Sequence, residues 1–179
     1  MHPKAIPVAV DILIEAPAWL EALPQAERVV ERAARATFDL ATLPCDLAWE
    51  CAVLLADDDR VRALNRQFRG QDQATNVLAF PAEPKDDDDA SRPVVVPPDD
   101  QPQQWGDVAI AYDTTAREAA EQGKSLADHL SHLVVHGLLH LIGHDHVEAT
   151  AAARMEALER TILWEIGVAD PYELPEARP

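Results

Sequence analysis

Positive charge is scarce in this 179-residue chain: 15 lysines and arginines stand against 32 aspartates and glutamates, a net charge of −17. Such acidity argues against a protein that attracts nucleic acid through its overall field. Cysteine is nearly absent as well. Cys45 and Cys51 lie six positions apart, which is neither a CxxC redox or zinc pair nor a disulfide framework, so both read as buried, reduced thiols. Long apolar runs are also lacking. The longest uncharged apolar stretch, Leu130 to Ile142, is broken by Ser131, His132, His136, Gly137 and His140 and falls short of the roughly 20 residues of a membrane span. The N-terminal MHPKAIPVAVDILIEA carries Asp11 and Glu15 and alternates Val8, Val10, Ile12 and Ile14, the pattern of a strand rather than a signal peptide. The expectation is a cytoplasmic protein without membrane association.

What is present suffices for a core: 47% of the residues are hydrophobic, and the length suits one domain over residues 1–179. After the first strand, Val29, Val30, Ala33, Ala34, Thr37 and Phe38 recur at helical spacing and predict a helix from Ala26 to Leu40. Leu47 to Leu55 alternates as a strand, and Asp57 suits the N-cap of a helix through Val61, Leu64 and Phe68. Thr75 to Phe80 and Asp107 to Ala111 read as strands. Between them, residues 82–104 form an acidic, proline-rich loop. A helix covers Thr114 to Gln122 and stops at Gly123. Ser125, with Asp128 three residues later, caps the next helix. A last helix runs from about Ala151 to Ile166 on a Met155, Leu158, Ile162 and Ile166 stripe, ended by Gly167. About four strands and about five helices, strands early and helices late, predict an α+β fold with a mixed sheet covered by helices. No internal repeat is present.

HGLLHLIGHDH, residues 136–146, carries the chemistry. On a helix His136 and His140 stand one turn apart, about 6 Å along the axis, and project from one face. His132 lies about 12 Å along the axis from His140 and is excluded as its co-ligand. Gly143 ends the helical pattern, the chain turns back, and His146 can then reach the same ion. Three imidazoles leave one tetrahedral position for water, the arrangement of catalytic zinc. One zinc ion per chain is the expectation, and nickel, copper or iron would accept the same ligands. Asp145 could orient a ligand histidine or could cap a turn. The helix resembles the zincin metal helix, but where HExxH has its glutamate base this chain has Gly137, which disfavours a peptidase of that mechanism.

HGLLHLIGHDH is similar to the HGxLHLxGYDH signature of the YbeY family of metal-dependent endoribonucleases. LNRQFRGQDQATNVLAFP, Leu64 to Pro81, resembles the family's LN helix, Arg-Gly element and TDV-or-TNV strand. Gly106 to Ile110, Met155 to Glu159 and Gly167 to Tyr172 match further blocks, so the likeness runs from about residue 50 to 172 in the family's order. Three departures stand out: His144 replaces the tyrosine before Asp-His, Ala79 replaces the serine of the Phe-Pro strand, and the acidic segment Glu83 to Asp100 is longer than usual.

The resemblance implies a single-strand-specific endoribonuclease acting in 16S rRNA 3′-end maturation and ribosome quality control. Its partners would be ribosomal RNA and the ribosome or small-subunit proteins. The alternatives are a ribosome-assembly factor with a mainly structural metal and a zinc hydrolase of another substrate. The match to the Arg-Gly element makes Arg69 the expected catalytic arginine, and a guanidinium can clamp a phosphodiester with two parallel hydrogen bonds. Arg60, Arg62, Arg66 and Arg69 share one helix, Arg28, Arg32 and Arg35 another. The first group either lines a groove beside the metal or forms a solvated helix face. The acidic loop would repel non-specific RNA, leaving binding dependent on a partner such as the ribosome.

Overall fold

Alternation shapes the first strand. β1 (Val8–Ile14) alternates half-buried with exposed residues, as an edge strand with one covered face does. β2 (Trp49–Ala56) and β4 (Gln103–Ala111) are the central strands, and β3 (Val77–Pro81) is the second edge. The order is β1-β2-β4-β3, with β1, β2 and β4 parallel and β3 antiparallel to β4, so the sheet is mixed, as expected. This computed structural model describes residues 8–41, 48–82, 102–144 and 147–173. β4 begins four residues before the expected Asp107 and so takes the end of the expected 82–104 loop. Residues 83–101 of that acidic stretch lie outside the described residues.

Among the described residues there are six helices: α1 (Ala18–Ala22), α2 (Ala26–Leu40), α3 (Asp58–Arg69), α4 (Tyr112–Glu121), α5 (Leu126–Leu141) and α6 (Ala149–Glu165). The unexpected one is α1. Its five residues are too few to show a period, and it is fixed by Trp19, fully buried with its indole N–H donating to the Ala56 carbonyl at 3.1 Å. The caps follow the sequence. Asp57 accepts from the Arg60 amide at 2.7 Å and Ser125 from the Asp128 amide at 3.0 Å, each satisfying an amide that the helix itself leaves unpaired.

Helices lie on both faces of the sheet. The larger core joins β2 and β4 to α2, α5 and α6 through Val30, Val53, Ile110, Leu138, Met155 and Ile162. The smaller lies under α3, where Val61 and the half-buried Leu64 meet Leu78, Ala109 and Ala111. β3 is therefore a thin partition: Val77 and Ala79 belong to the α5 side, Leu78 and Phe80 to the α3 side. Gly106 marks an irregularity in the β2–β4 register, where Cys51 pairs with Gly106 while Glu50 pairs with Gln104. Its φ is +121°, and a Cβ there would overlap the Phe80 carbonyl. Only glycine lets the β3–β4 pair close at that point.

Candidate metal centre

α5 is held against the sheet by Leu130, Leu133, Val134, Leu138 and Leu139, all buried. The approach is close enough that a Cβ on Gly137 would stand 2.6 Å from Val108 Cγ1 and 3.4 Å from Val77 Cγ2. A glutamate base therefore has no room at the position where HExxH helices carry one. Packing and the missing base have one cause. After Leu141 the helix ends, and Gly143 takes φ +102°, the conformation that lets the chain turn back.

His136 and His140 face each other, with Nε2 atoms 3.1 Å apart. The other ring nitrogens fix their tautomers. His140 Nδ1 lies 3.0 Å from the His144 carbonyl, which can only accept, so that nitrogen carries the proton. His136 Nδ1 donates to Glu159 Oε1 at 2.7 Å. In the neutral rings each Nε2 then presents a lone pair to the other, an arrangement that needs positive charge between them. A tetrahedral ion with Zn–N bonds of 2.0–2.1 Å would set two nitrogens about 3.3 Å apart. The pair thus fits a metal's chemistry and spacing.

Glu159 is wholly buried on α6, and Tyr172 donates its hydroxyl to the second carboxylate oxygen. Burial opposes its charge, yet the His132 and His136 rings and the Tyr172 hydroxyl outweigh that and hold its pKa at about 2, below the ordinary 4.5. An ionised carboxylate on Nδ1 fixes the ring of a metal-binding histidine and raises its basicity. His132 Nε2 lies 3.7 Å from Glu159 Oε2, longer than an ordinary hydrogen bond yet close enough to favour the charged carboxylate. Donor atoms of His132, His136 and Glu159 lie within 4.8 Å of one another, so this group too could hold an ion. His132 takes its place there rather than with His140. His146 and Asp145 lie outside the described residues.

Arg69 ends α3 on the opposite face of the sheet, before Gly70 at φ +68°. Its Nη2 donates to the Ala79 carbonyl at 2.8 Å. β3 is an edge strand, with Asn76 O and Ala82 N hydrogen-bonded toward β4. The Ala79 carbonyl, out of phase with those, points to the free edge. Ala79 is two residues, about 7 Å, along β3 from the Val77 side chain that faces Gly137. Arg69 and the histidine helix thus flank one short strand from its two sides.

The sequence model of the family described as Endoribonuclease YbeY matches residues 20–167. This chain belongs to the YbeY family. It is 51% identical over 167 residues to the endoribonuclease YbeY of Paramagnetospirillum magneticum, covering 93% of this chain and 96% of that protein. It is 48% identical to that of Rhodopseudomonas palustris, covering 93% and 91%, and 43% identical to that of Paracoccus denitrificans, covering 95% and 93%. A solution structure of a Thermotoga maritima protein shows 23% identity over 92% of this chain and 99% of that one, with a TM-score of 0.48.

Two departures from the YbeY pattern now have a structural reading. At position 144 one contribution to the site is a main-chain carbonyl on His140, which tyrosine or histidine supplies alike. At position 79 the Arg69 contact is likewise to main chain, so alanine keeps it. Glu159 as the partner of His136, and Tyr172 as the partner of Glu159, were missed, although both fall in blocks that resemble the family. For Glu159 the signal was its place on a buried stripe, four residues after Met155 and three before Ile162.

Proposed function

We propose that the chain is a metal-dependent endoribonuclease that cuts single-stranded RNA, acting in the cytoplasm beside the ribosome in 16S rRNA 3′-end maturation and quality control. The names of its relatives supply the reaction class. The observation that carries the reading is the pair of facing Nε2 atoms of His136 and His140, with both Nδ1 atoms already committed.

His136, His140 and His146 would hold one zinc ion. Such an ion supplies Lewis acidity and a water ionisable near neutral pH. The protein does the rest. Glu159 orients His136 and keeps its Nδ1 protonated, and the His144 carbonyl does the same for His140. Gly137 leaves no general base at the position where HExxH helices carry one. Arg69 spends one N–H on Ala79, which aims the guanidinium along the free edge of β3, and its other donors bind the phosphodiester and neutralise charge developing on it. Attack by water and attack by the neighbouring 2′-hydroxyl differ in product, since only the second leaves a cyclic phosphate. No helix among the described residues is long and apolar enough to cross a membrane.

The test compares wild type, His136→Ala and Arg69→Ala, purified identically, on single-stranded and structured RNA after metal analysis. Arg69→Ala should keep its metal and fold and lose about 10²- to 10³-fold in kcat. His136→Ala should lose metal and cleavage together. Absence of metal-dependent cleavage by wild type would overturn the nuclease reading and leave an assembly factor with a structural metal.

A further inference from the structure

Phe68 is 61% exposed at the last turn of α3, an unusual place for a large apolar ring. It does not stand alone. Its centroid is 5.3 Å from that of Phe80 on β3, at 59° between planes, and the Arg69 guanidinium lies over the Phe80 ring at 5.8 Å. Phe80 is half-buried, so Phe68 presents the open aromatic surface of the group. This is the edge of β3 where Arg69 holds the Ala79 carbonyl.

Local charge agrees. Of the four arginines of α3, Arg60 is paired with Glu15 at 3.2 Å and Arg62 with Asp72 through two bonds of 2.8 and 2.9 Å. Arg66 and Arg69 are exposed, with no ion pair among the described residues. Two open cations and an open aromatic ring thus share the C-terminal end of one helix. That combination fits a polyanion whose bases are unstacked, because phosphates meet guanidinium groups while a bare base lies on a ring. A folded protein partner would need apolar area around Phe68, and the neighbouring positions 66, 67, 69, 70 and 71 are exposed arginine, glutamine and glycine.

We propose that Phe68, backed by Phe80 and Arg69, is a stacking site for an unpaired nucleobase next to the phosphodiester that Arg69 binds. The inference rests on the endoribonuclease reading and gives it a source of single-strand preference. Bases in a duplex are stacked on one another and have no face to offer, whereas an unpaired base does.

The experiment measures KM and kcat for wild type, Phe68→Leu and Phe68→Tyr on a short single-stranded RNA, and on versions of it carrying one abasic nucleotide at each position in turn. Leucine keeps apolar bulk and removes the π face. Phe68→Leu should raise KM roughly 5- to 100-fold with kcat little changed, and Phe68→Tyr should restore it. One abasic position should raise KM by a similar factor in wild type and add nothing in Phe68→Leu. Unchanged KM in Phe68→Leu, or abasic and leucine effects that simply multiply at every position, overturns the stacking site while leaving the nuclease reading intact. Altered sedimentation of Phe68→Leu with unchanged KM would make the ring a protein contact and also overturn it. A wild type that neither binds nor cuts RNA would overturn both readings.

Discussion

Replacing Glu159 by glutamine removes one charge from the candidate centre and almost no volume. The carboxylate is fully buried, 2.7 Å from His136 Nδ1, and accepts the Tyr172 hydroxyl. In Glu159→Gln the amide oxygen can still accept from His136, so ring orientation survives and only the charge assistance is lost. Charged hydrogen bonds contribute roughly twice as much as neutral ones, and partners that orient ligand histidines typically change metal affinity about 10- to 100-fold. Zinc affinity, read by competition with a chelating indicator at neutral pH, should fall within that range. Acid titration of the metal-free protein gives a second reading. The folded carboxyl has its pKa lowered from 4.5 to about 2. A depressed carboxylate contributes stability that is fully present above pH 4.5 and is lost as pH falls from there toward 2. A shift of that size corresponds to about 3 kcal/mol. Urea unfolding of wild type should therefore lose about that much more than Glu159→Gln between pH 5 and pH 2. Equal zinc affinities together with parallel acid limbs would refute the role given to Glu159.

Other consequences follow from packing and charge. Gly137→Ala should destabilise by up to about 2 kcal/mol, because overpacking against Val108 costs about 1–3 and the better helix former returns about 1. Adding Val108→Ala should cost less in the alanine background than in wild type, as denaturant titrations of the four proteins would show, and plain additivity would count against the contact. Cys51, with its thiol pushed up to about 12 by burial and by the nearby Asp107 and Asp11, should escape iodoacetamide at pH 8 in the native protein, with peptide mass spectrometry as the check. RNA binding should depend only weakly on salt. With Arg66 and Arg69 as the phosphate contacts of α3, the logarithmic slope should be about −1.4, and a slope several times steeper would mean a larger cationic surface.

Much of the fold was legible because it is written in long periods. α2 occupies Ala26–Leu40 as its spacing predicts, since four turns of repeated apolar residues leave little ambiguity. The Ser125 and Asp57 caps, and glycines at 123, 143 and 167 with positive φ, are local chemistry and show in the sequence as such. Strand order is different. That β4 lies between β2 and β3 depends on pairings distant in the chain, and nothing in residues 103–111 names their neighbours. The same division runs through the site. His136 and His140 are visible because four residues make one turn, whereas Tyr172 reaches Glu159 only through the packing of the C-terminal segment. Glu159 sits between these cases: a carboxylate on an apolar helical stripe is a local anomaly, and such anomalies mark buried partners.

The acidity of the chain also bears differently on its function once the arginines are placed. Net charge sums over the whole surface, but fields in physiological salt decay over about 8 Å, so a substrate at one edge feels chiefly the groups beside it. Beside β3 those groups include Arg66 and Arg69, with Arg60 and Arg62 already engaged by carboxylates. Two open cations are too few to hold RNA by counterion release alone, which in strong binders draws on six to ten phosphate contacts, as a rough guide. On the proposed reading, affinity would come from short-range contacts: the Arg69 guanidinium on a phosphodiester, an ion between His136 and His140, and a base on Phe68. Each requires the backbone to approach closely and at least one base to turn outward. Duplex RNA meets neither condition, and elsewhere it meets an acidic surface. Scarcity of positive charge is therefore compatible with cutting RNA, provided the target is unpaired and presented locally.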